Sequence, residues 1–255
     1  MPEYRPGLES LHEVARGREK IASSIDGNPD KVWITWQDER LKVPEFGKAV
    51  FAFQKILHLL MPQNFLDVSY ADETGVMVDK VPDTEDFIEA NRIFAERRTR
   101  SDVMYGSDWI LRKQDEIYDM DEYQEVAKLI GDILQPNGSE WGAREMAVPV
   151  NTAVVNGHPL IVELIRPVTP SVNGKLEQIL VPTLKPEALE KVLAERQKNC
   201  LMTEVESTRI RRYYESYQSN VKQLIPEQAT KTQVTMPRTE TITPTEDMLV
   251  GEPPW

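Results

Sequence analysis

The chain is expected to fold as an α+β protein: a β-α-β-β unit, a helical middle section, a three-stranded antiparallel meander, and a long C-terminal helix or helix pair with a disordered tail. Three observations predict this. Apolar residues at alternating three- and four-residue steps give way more than once to β-branched and aromatic runs of strand length. Two Asn-Gly pairs, Asn156-Gly157 and Asn173-Gly174, punctuate a strand-rich stretch. From Pro186 to Pro226 neither proline nor glycine interrupts the chain.

Taken in order, residues 1–30 are read as an N-terminal amphipathic helix and turn. Leu8, Leu11, Ala15, Arg18, Ala22 and Ile25 fall on one helical face, Gly17 weakens that helix, and Asp26-Gly27-Asn28-Pro29-Asp30 is turn chemistry. Residues 31–135 are read as an α+β domain with a helical extension. Val32, Trp33, Ile34, Thr35 and Trp36 form a strand, and because Trp33 and Trp36 point to opposite faces, both faces should be covered, by this chain or by another subunit. Pro44 opens the most hydrophobic helix, with Phe46, Val50, Phe53, Ile56, Leu57 and Leu60 inward until Pro62. Phe65–Tyr70 and Val76–Val81 flank a polar loop ending in Gly75 and read as a hairpin.

Two helices should follow. Asp83 or Thr84 caps the first, with Phe87, Ala90, Asn91 and Phe94 inward; the second starts after Ser107 and runs to Pro136-Asn137-Gly138. Residues 136–185 are read as the meander, with strands at 148–155, 158–168 and 175–182 around the two Asn-Gly pairs. Residues 186–226 carry Leu189, Leu193, Arg196, Cys200, Thr203, Ser207, Ile210, Tyr214, Tyr217, Val221 and Leu224 in an unbroken four-three step, the period of a left-handed coiled-coil seam. That seam is polar in its middle, so one rod and a pair of helices broken near Asn199–Thr203 are both open. Residues 227–255 are rich in threonine and proline, lack an apolar stripe, and read as a flexible tail ending in a docking-like peptide with Met248, Leu249 and Trp255.

Composition narrows the function. The formal net charge of −12 repels phosphate backbones at long range. Cys200 is the only cysteine, which excludes an internal disulfide and a thiolate metal cluster. The longest apolar stretch, near Leu57–Met61, is far too short for a bilayer, and Met1–Arg18 has no signal-peptide pattern, so the expected location is the cytoplasm or an assembled particle, without secretion.

Catalytic patterns are sparse. His12, His58 and His158 are the only histidines and belong to no zinc motif; His58 reads as half-buried and structural, and His158 as exposed after its turn. Neither GxxxxGK[ST], GxGxxG nor GxSxG occurs, and no cofactor is expected. Asp115, Asp119 and Glu122 would share one face of a continuous helix, a weak site for a hard divalent cation set against a solvated charged face. Arginines cluster at Arg97, Arg98 and Arg100 and at Arg209, Arg211 and Arg212, the second beside Tyr213 and Tyr214. Arginine beside aromatic rings can grip phosphates and stack bases; equally, the tyrosines can fill a helix seam while the arginines pair with carboxylates.

The reading that results is a non-enzymatic structural or adaptor subunit of a larger homo- or hetero-oligomeric protein assembly, with a phage or virus assembly component as one setting. Its contact residues would be Leu189, Leu193, Ile210, Tyr214, Tyr217, Val221, Leu224, Met248, Leu249 and Trp255. The alternatives are a nucleic-acid-binding accessory protein using Arg209, Arg211, Arg212, Tyr213 and Tyr214, and a divalent-metal-dependent enzyme using the three carboxylates.

Overall fold

A computed structural model describes residues 11–16, 20–96, 107–135, 143–164, 169–170, 176–177 and 183–224. Among them the fold is mixed α+β, centred on a five-stranded antiparallel sheet. Its strands are β1 (Leu11–Arg16), β2 (Lys20–Ile25), β3 (Asn28–Trp36), β4 (Val68–Ala71) and β5 (Gly75–Asp79), in the order β1-β2-β3-β5-β4.

The first two strands correct the sequence expectation, which made this segment a helix. Ile21, Ser23 and Ile25 also alternate with a period of two, and Gly17 removes the helix's advantage. What decides is the backbone of β3, whose ladder groups need a partner: Ala22 pairs with Ile34, Ser23 with Trp33 and Ser24 with Val32. Gly27, at φ +74, makes the turn into β3.

The β-α-β-β unit follows as expected. After β3, helix α1 (Pro44–Leu60) begins with Pro44 in its first turn, where a missing N–H costs nothing. The turn between β4 and β5 is built by Asp72, whose Oδ1 accepts from the Thr74 and Gly75 amides and from the Thr74 hydroxyl. A Cβ on Gly47 would stand 2.1 Å from the Asp72 carbonyl oxygen, so glycine lets α1 lie against this turn. Trp36 meets Phe46 edge-on at 5.1 Å on the helix side of the sheet, while Trp33 packs with Ile25, Met77 and Tyr70 on the other. Both indoles are fully buried within the one chain.

Thr84 caps helix α2 (Glu85–Glu96), its hydroxyl accepting from the Phe87 amide. The next helix, expected to be continuous, is two: α3 (Asp108–Tyr118), capped by Ser107, and α4 (Asp121–Ile133). Asp119 closes α3 as its C-cap, and the Met120 amide bonds the Ile117 carbonyl in a tighter turn. The separate runs of apolar residues on each side then address different neighbours: Ile110 packs with Ala90 and Val148, whereas Val126, Ile130 and Ile133 enter the main core.

The meander is only partly formed. A short strand β6 (Leu134–Gln135) and a one-turn helix α5 (Ala143–Met146) precede β7 (Thr152–Val155) and β8 (His158–Ile161). These two form a hairpin over Asn156-Gly157, whose φ angles of 52° and 85° are what that dipeptide supplies. β8 ends at Ile161 because the Val162 and Glu163 amides both turn to the Asn151 carbonyl. The described part of the expected third strand, β10 (Leu176–Glu177), pairs with β9 (Thr169–Pro170) and not with β8. Asn173-Gly174 lies outside the described residues. Finally β11 (Thr183–Leu184) pairs with β6 and leads into α6 (Pro186–Lys198) and α7 (Glu204–Leu224). No helix among the described residues is long and apolar enough to cross a membrane.

Candidate interaction site

The C-terminal helices are a pair, broken where the seam turns polar. Pro186 starts α6, and its end is a Schellman motif: the Cys200 amide donates to the Gln197 carbonyl at 3.0 Å and the Leu201 amide to the Arg196 carbonyl at 2.9 Å. Cys200 takes the left-handed position, φ 56°, usually given to glycine. Thr203 and Glu206 then form a capping box, the Glu206 amide donating to the Thr203 hydroxyl while the Thr203 amide and hydroxyl donate to the Glu206 carboxylate. Those bonds hold the Glu206 carboxyl below its ordinary value. The Thr-x-x-Glu pattern was present in the sequence and is the signal that favours two helices over one rod. Gln197 bonds Glu204, Glu190 bonds Arg211 and Leu184 bonds Tyr214, an order that makes the helices antiparallel.

The seam itself is internal, which corrects its assignment as a partner surface. Leu189, Leu193, Ile210, Tyr217, Val221 and Leu224 are buried in the same core as α1. The Tyr217 ring lies 5.5 Å from Phe53, and Tyr213 meets Phe51 at 6.0 Å. Burial pushes the Tyr217 phenol well above its ordinary value. Tyr214 is half-buried; its hydroxyl donates to the Leu184 carbonyl and accepts from Gln218. An amphipathic helix needs an apolar complement, and α1, flanked by the sheet on its other side, supplies it.

What the pair leaves outside is its turn. Cys200 is exposed, and Leu201 and Val205 are 67% and 70% exposed, among the few large apolar side chains so placed in the described residues. Between them Met202 is buried in the main core and anchors the turn. Arg196, in the last turn of α6, is half-buried; burial pulls its basicity down, against the fields of Glu125 and Glu195.

The residues proposed for nucleic acid are spoken for in part. Arg211 makes a two-pronged contact with Glu190, at 2.9 Å for each prong, and lies 3.6 Å from Glu204. Tyr213 meets Phe51 of α1, and Tyr214 is held by the Leu184 carbonyl of β11 and by Gln218. Arg209 and Arg212 are exposed. Arg97, Arg98 and Arg100 lie outside the described residues, as do Met248, Leu249 and Trp255.

The three carboxylates are not brought together on one helix. Asp115 pairs with Arg144, whose guanidinium also lies over the Tyr118 ring; Asp119 is the C-cap of α3; and Glu122 opens α4. Glu122 instead ties three elements, accepting from Asn64 Nδ2 at 2.7 Å and meeting His158 Nδ1 at 2.8 Å. Partial burial pushes its carboxyl up, but the bonds from Asn64 and His158 outweigh this and hold it below the ordinary glutamate value. No local pattern signals this link, since its members are far apart in the chain. His58 is structural, its Nδ1 at 2.8 Å from the Phe65 carbonyl oxygen. Among the described residues, no group of three or more His, Cys, Asp or Glu side chains could hold a metal ion. In comparison with known proteins, no family model matches the chain and no curated protein matches it.

Proposed function

We propose that the protein is a non-enzymatic structural or adaptor subunit of a larger protein assembly, docking through the turn between α6 and α7 instead of through the seam. One observation carries this reading: Leu201 and Val205 stand exposed on a turn that is otherwise firmly built. A Schellman motif closes one side of it, a capping box opens the other, and Met202 is buried beneath. Leaving two aliphatic side chains in water on such a turn forgoes roughly 1.5–3 kcal/mol of burial per residue, which a partner's apolar surface can recover. The nucleic-acid alternative draws less support, because Arg211 is committed to Glu190, Tyr213 packs on Phe51 and Tyr214 is bonded to the Leu184 carbonyl. The metal-enzyme alternative draws less because Asp115 and Glu122 are engaged by Arg144, Asn64 and His158.

The test is affinity purification of the full chain from its native source, comparing the wild type with a Leu201→Ser/Val205→Ser double variant, alongside light scattering of both over a range of concentrations. The reading expects a stoichiometric protein partner, or self-association, that the double variant loses while keeping its circular dichroism spectrum. A wild type that stays monomeric and co-purifies with nothing the variant lacks contradicts it.

A further inference from the structure

We propose that the outer edge of β1 pairs with the same edge of a second copy of the chain. Two five-stranded sheets then join antiparallel about a two-fold axis between Val14 and Ala15, with Glu13 of each copy across from the partner's Arg16. The contact is made by the sheet and not by the α6–α7 turn, so it goes beyond the docking reading.

Among the described residues β1 is paired with β2 alone and ends the sheet. His12 through Arg16 are exposed, Val14 at 60%, so side chains on both faces of the strand meet water. Only the ladder to β2 and Leu11, which packs with Ile25 and Trp33, hold it in place. That is little return for ordering an extended backbone whose outer N–H and C=O groups can template a further strand. The opposite edge is protected: β4 is four residues long, and Val68 is fully buried in the core that includes α1. β1 contains neither lysine nor proline, two residues that blunt exposed edges.

The register of β1 identifies the strand that fits it. Glu13 pairs with Ser23, Ala15 with Ala22 and Arg16 with Ile21, so Val14 is the extra residue of a bulge. Ser23 and Ile21 are two apart on β2 and share a face. The bulge therefore brings Glu13 and Arg16 to one face as well, where they bond each other. A bulge guards many edges by twisting them; this one also makes the edge self-complementary. Reversing a second copy about the point between Val14 and Ala15 sets Glu13 opposite the partner's Arg16 twice over and covers Val14 with the partner's Ala15. The bonds within one copy use Arg16 Nε and Nη2, leaving Nη1 to reach the partner's Glu13, so that four charges close into a ring. With one acid and one base on this face, β1 meets its own copy without net charge, although the whole chain carries −12. A strand of uniformly acidic or basic character would instead set one of the two ions against its like.

Sedimentation velocity of the full chain tests this over about 1–500 µM, a range suited to a small polar contact. The wild type is expected to pass from monomer to dimer as concentration rises. Glu13→Arg and Arg16→Glu each set like charges across the axis and should weaken dimerisation about tenfold, whereas the double variant Glu13→Arg/Arg16→Glu should recover it. All these positions are exposed, so circular dichroism should match the wild type. The sharpest sample is an equimolar mixture of the two single variants. Each copy in it still lacks its internal Glu13–Arg16 bond, yet opposite charges meet again across the axis, so a heterodimer of near wild-type strength is expected. A mixture that associates no better than its components would overturn the proposal, as would a wild type monomeric throughout or a dimer indifferent to both single substitutions. Leu201→Ser/Val205→Ser should keep this dimer. If that variant abolishes dimerisation while the β1 variants do not, the docking turn stands and the self-pairing edge falls. A monomeric wild type that loses a co-purifying protein on Glu13→Arg would assign the edge to another partner and equally overturn self-pairing.

Discussion

Two hairpins frame the described chain, one of strands at residues 11–25 and one of helices at residues 186–224, and their sequences carry the same four-three spacing of apolar positions. The first is not helical; the second is. In the N-terminal segment the spacing covers few strongly apolar residues, includes Arg18, and is interrupted by Gly17, while β3 offers ladder groups that pair residue for residue with Lys20–Ser24. In the C-terminal segment the helix formers are dense, glycine and proline are absent after Pro186, and α1 offers a broad apolar side. Period alone does not choose the element. What chooses is whether the segment's partner presents open backbone groups or an apolar helix face.

The largest expected effect breaks the second hairpin only. Ile210→Ala removes a fully buried side chain where α7 joins the main core and should lower stability by about 2–5 kcal/mol, measured by urea unfolding. The same truncation at the exposed Val14 of β1 should change little. Next in size is a gain. Gln54 is fully buried in α1, one residue past the Phe53 ring that meets Tyr217, and both its amide atoms lack a hydrogen-bond partner among protein groups. Gln54→Leu, similar in volume, should raise stability by about 1–3 kcal/mol, read as a higher denaturation midpoint; a loss would show that the amide is satisfied in solution.

Smaller still is Cys200→Gly, which relieves the left-handed backbone of the α6–α7 turn and should stabilise by about 0.5–1 kcal/mol in thermal unfolding. The corresponding position of the first hairpin's exit, Gly27 at φ +74, already has its glycine, so Gly27→Ala should destabilise. The subtlest effect depends on pH. The Glu122 carboxyl titrates lower in the folded chain than in the unfolded one, so its contribution is fully present above the ordinary glutamate range and is lost as pH falls through the lowered value. Glu122→Gln should therefore lower stability at neutral pH and flatten the acid side of the stability–pH curve, with the least effect at low pH where the wild-type carboxyl is protonated, as a series of urea titrations would show.

How much was legible follows the same division. The β-α-β-β unit was readable because Pro44, the β-branched run around Trp33 and the Asp72–Gly75 turn each act through local chemistry. The break at Asn199–Thr203 was half-readable: the polar middle of the seam pointed to it, and the capping box of Thr203 and Glu206 would have favoured the pair. The Glu122–His158 link was not, since its members are far apart in the chain; the strands at 11–25 and the division at Asp119 rest on near neighbours, but a four-three spacing masked the period of two in the first and ran on through the second. The interaction residues show the limit most clearly. A heptad-spaced ridge identifies which face of a helix seeks cover, but not whether the cover is α1 or another molecule.

The central claim is that α7 is closed against its own chain, leaving the turn at Leu201 as the surface that meets a partner. Hydrogen exchange of the full chain at low concentration tests it most directly. The account predicts that the amides of Ile210, Tyr217 and Val221 are protected to the level of those in α1, without dependence on protein concentration, while those at Leu201 and Met202 gain protection when a partner binds. Rapid exchange along α7 in the isolated chain, with protection appearing only on self-association or partner addition, would contradict it.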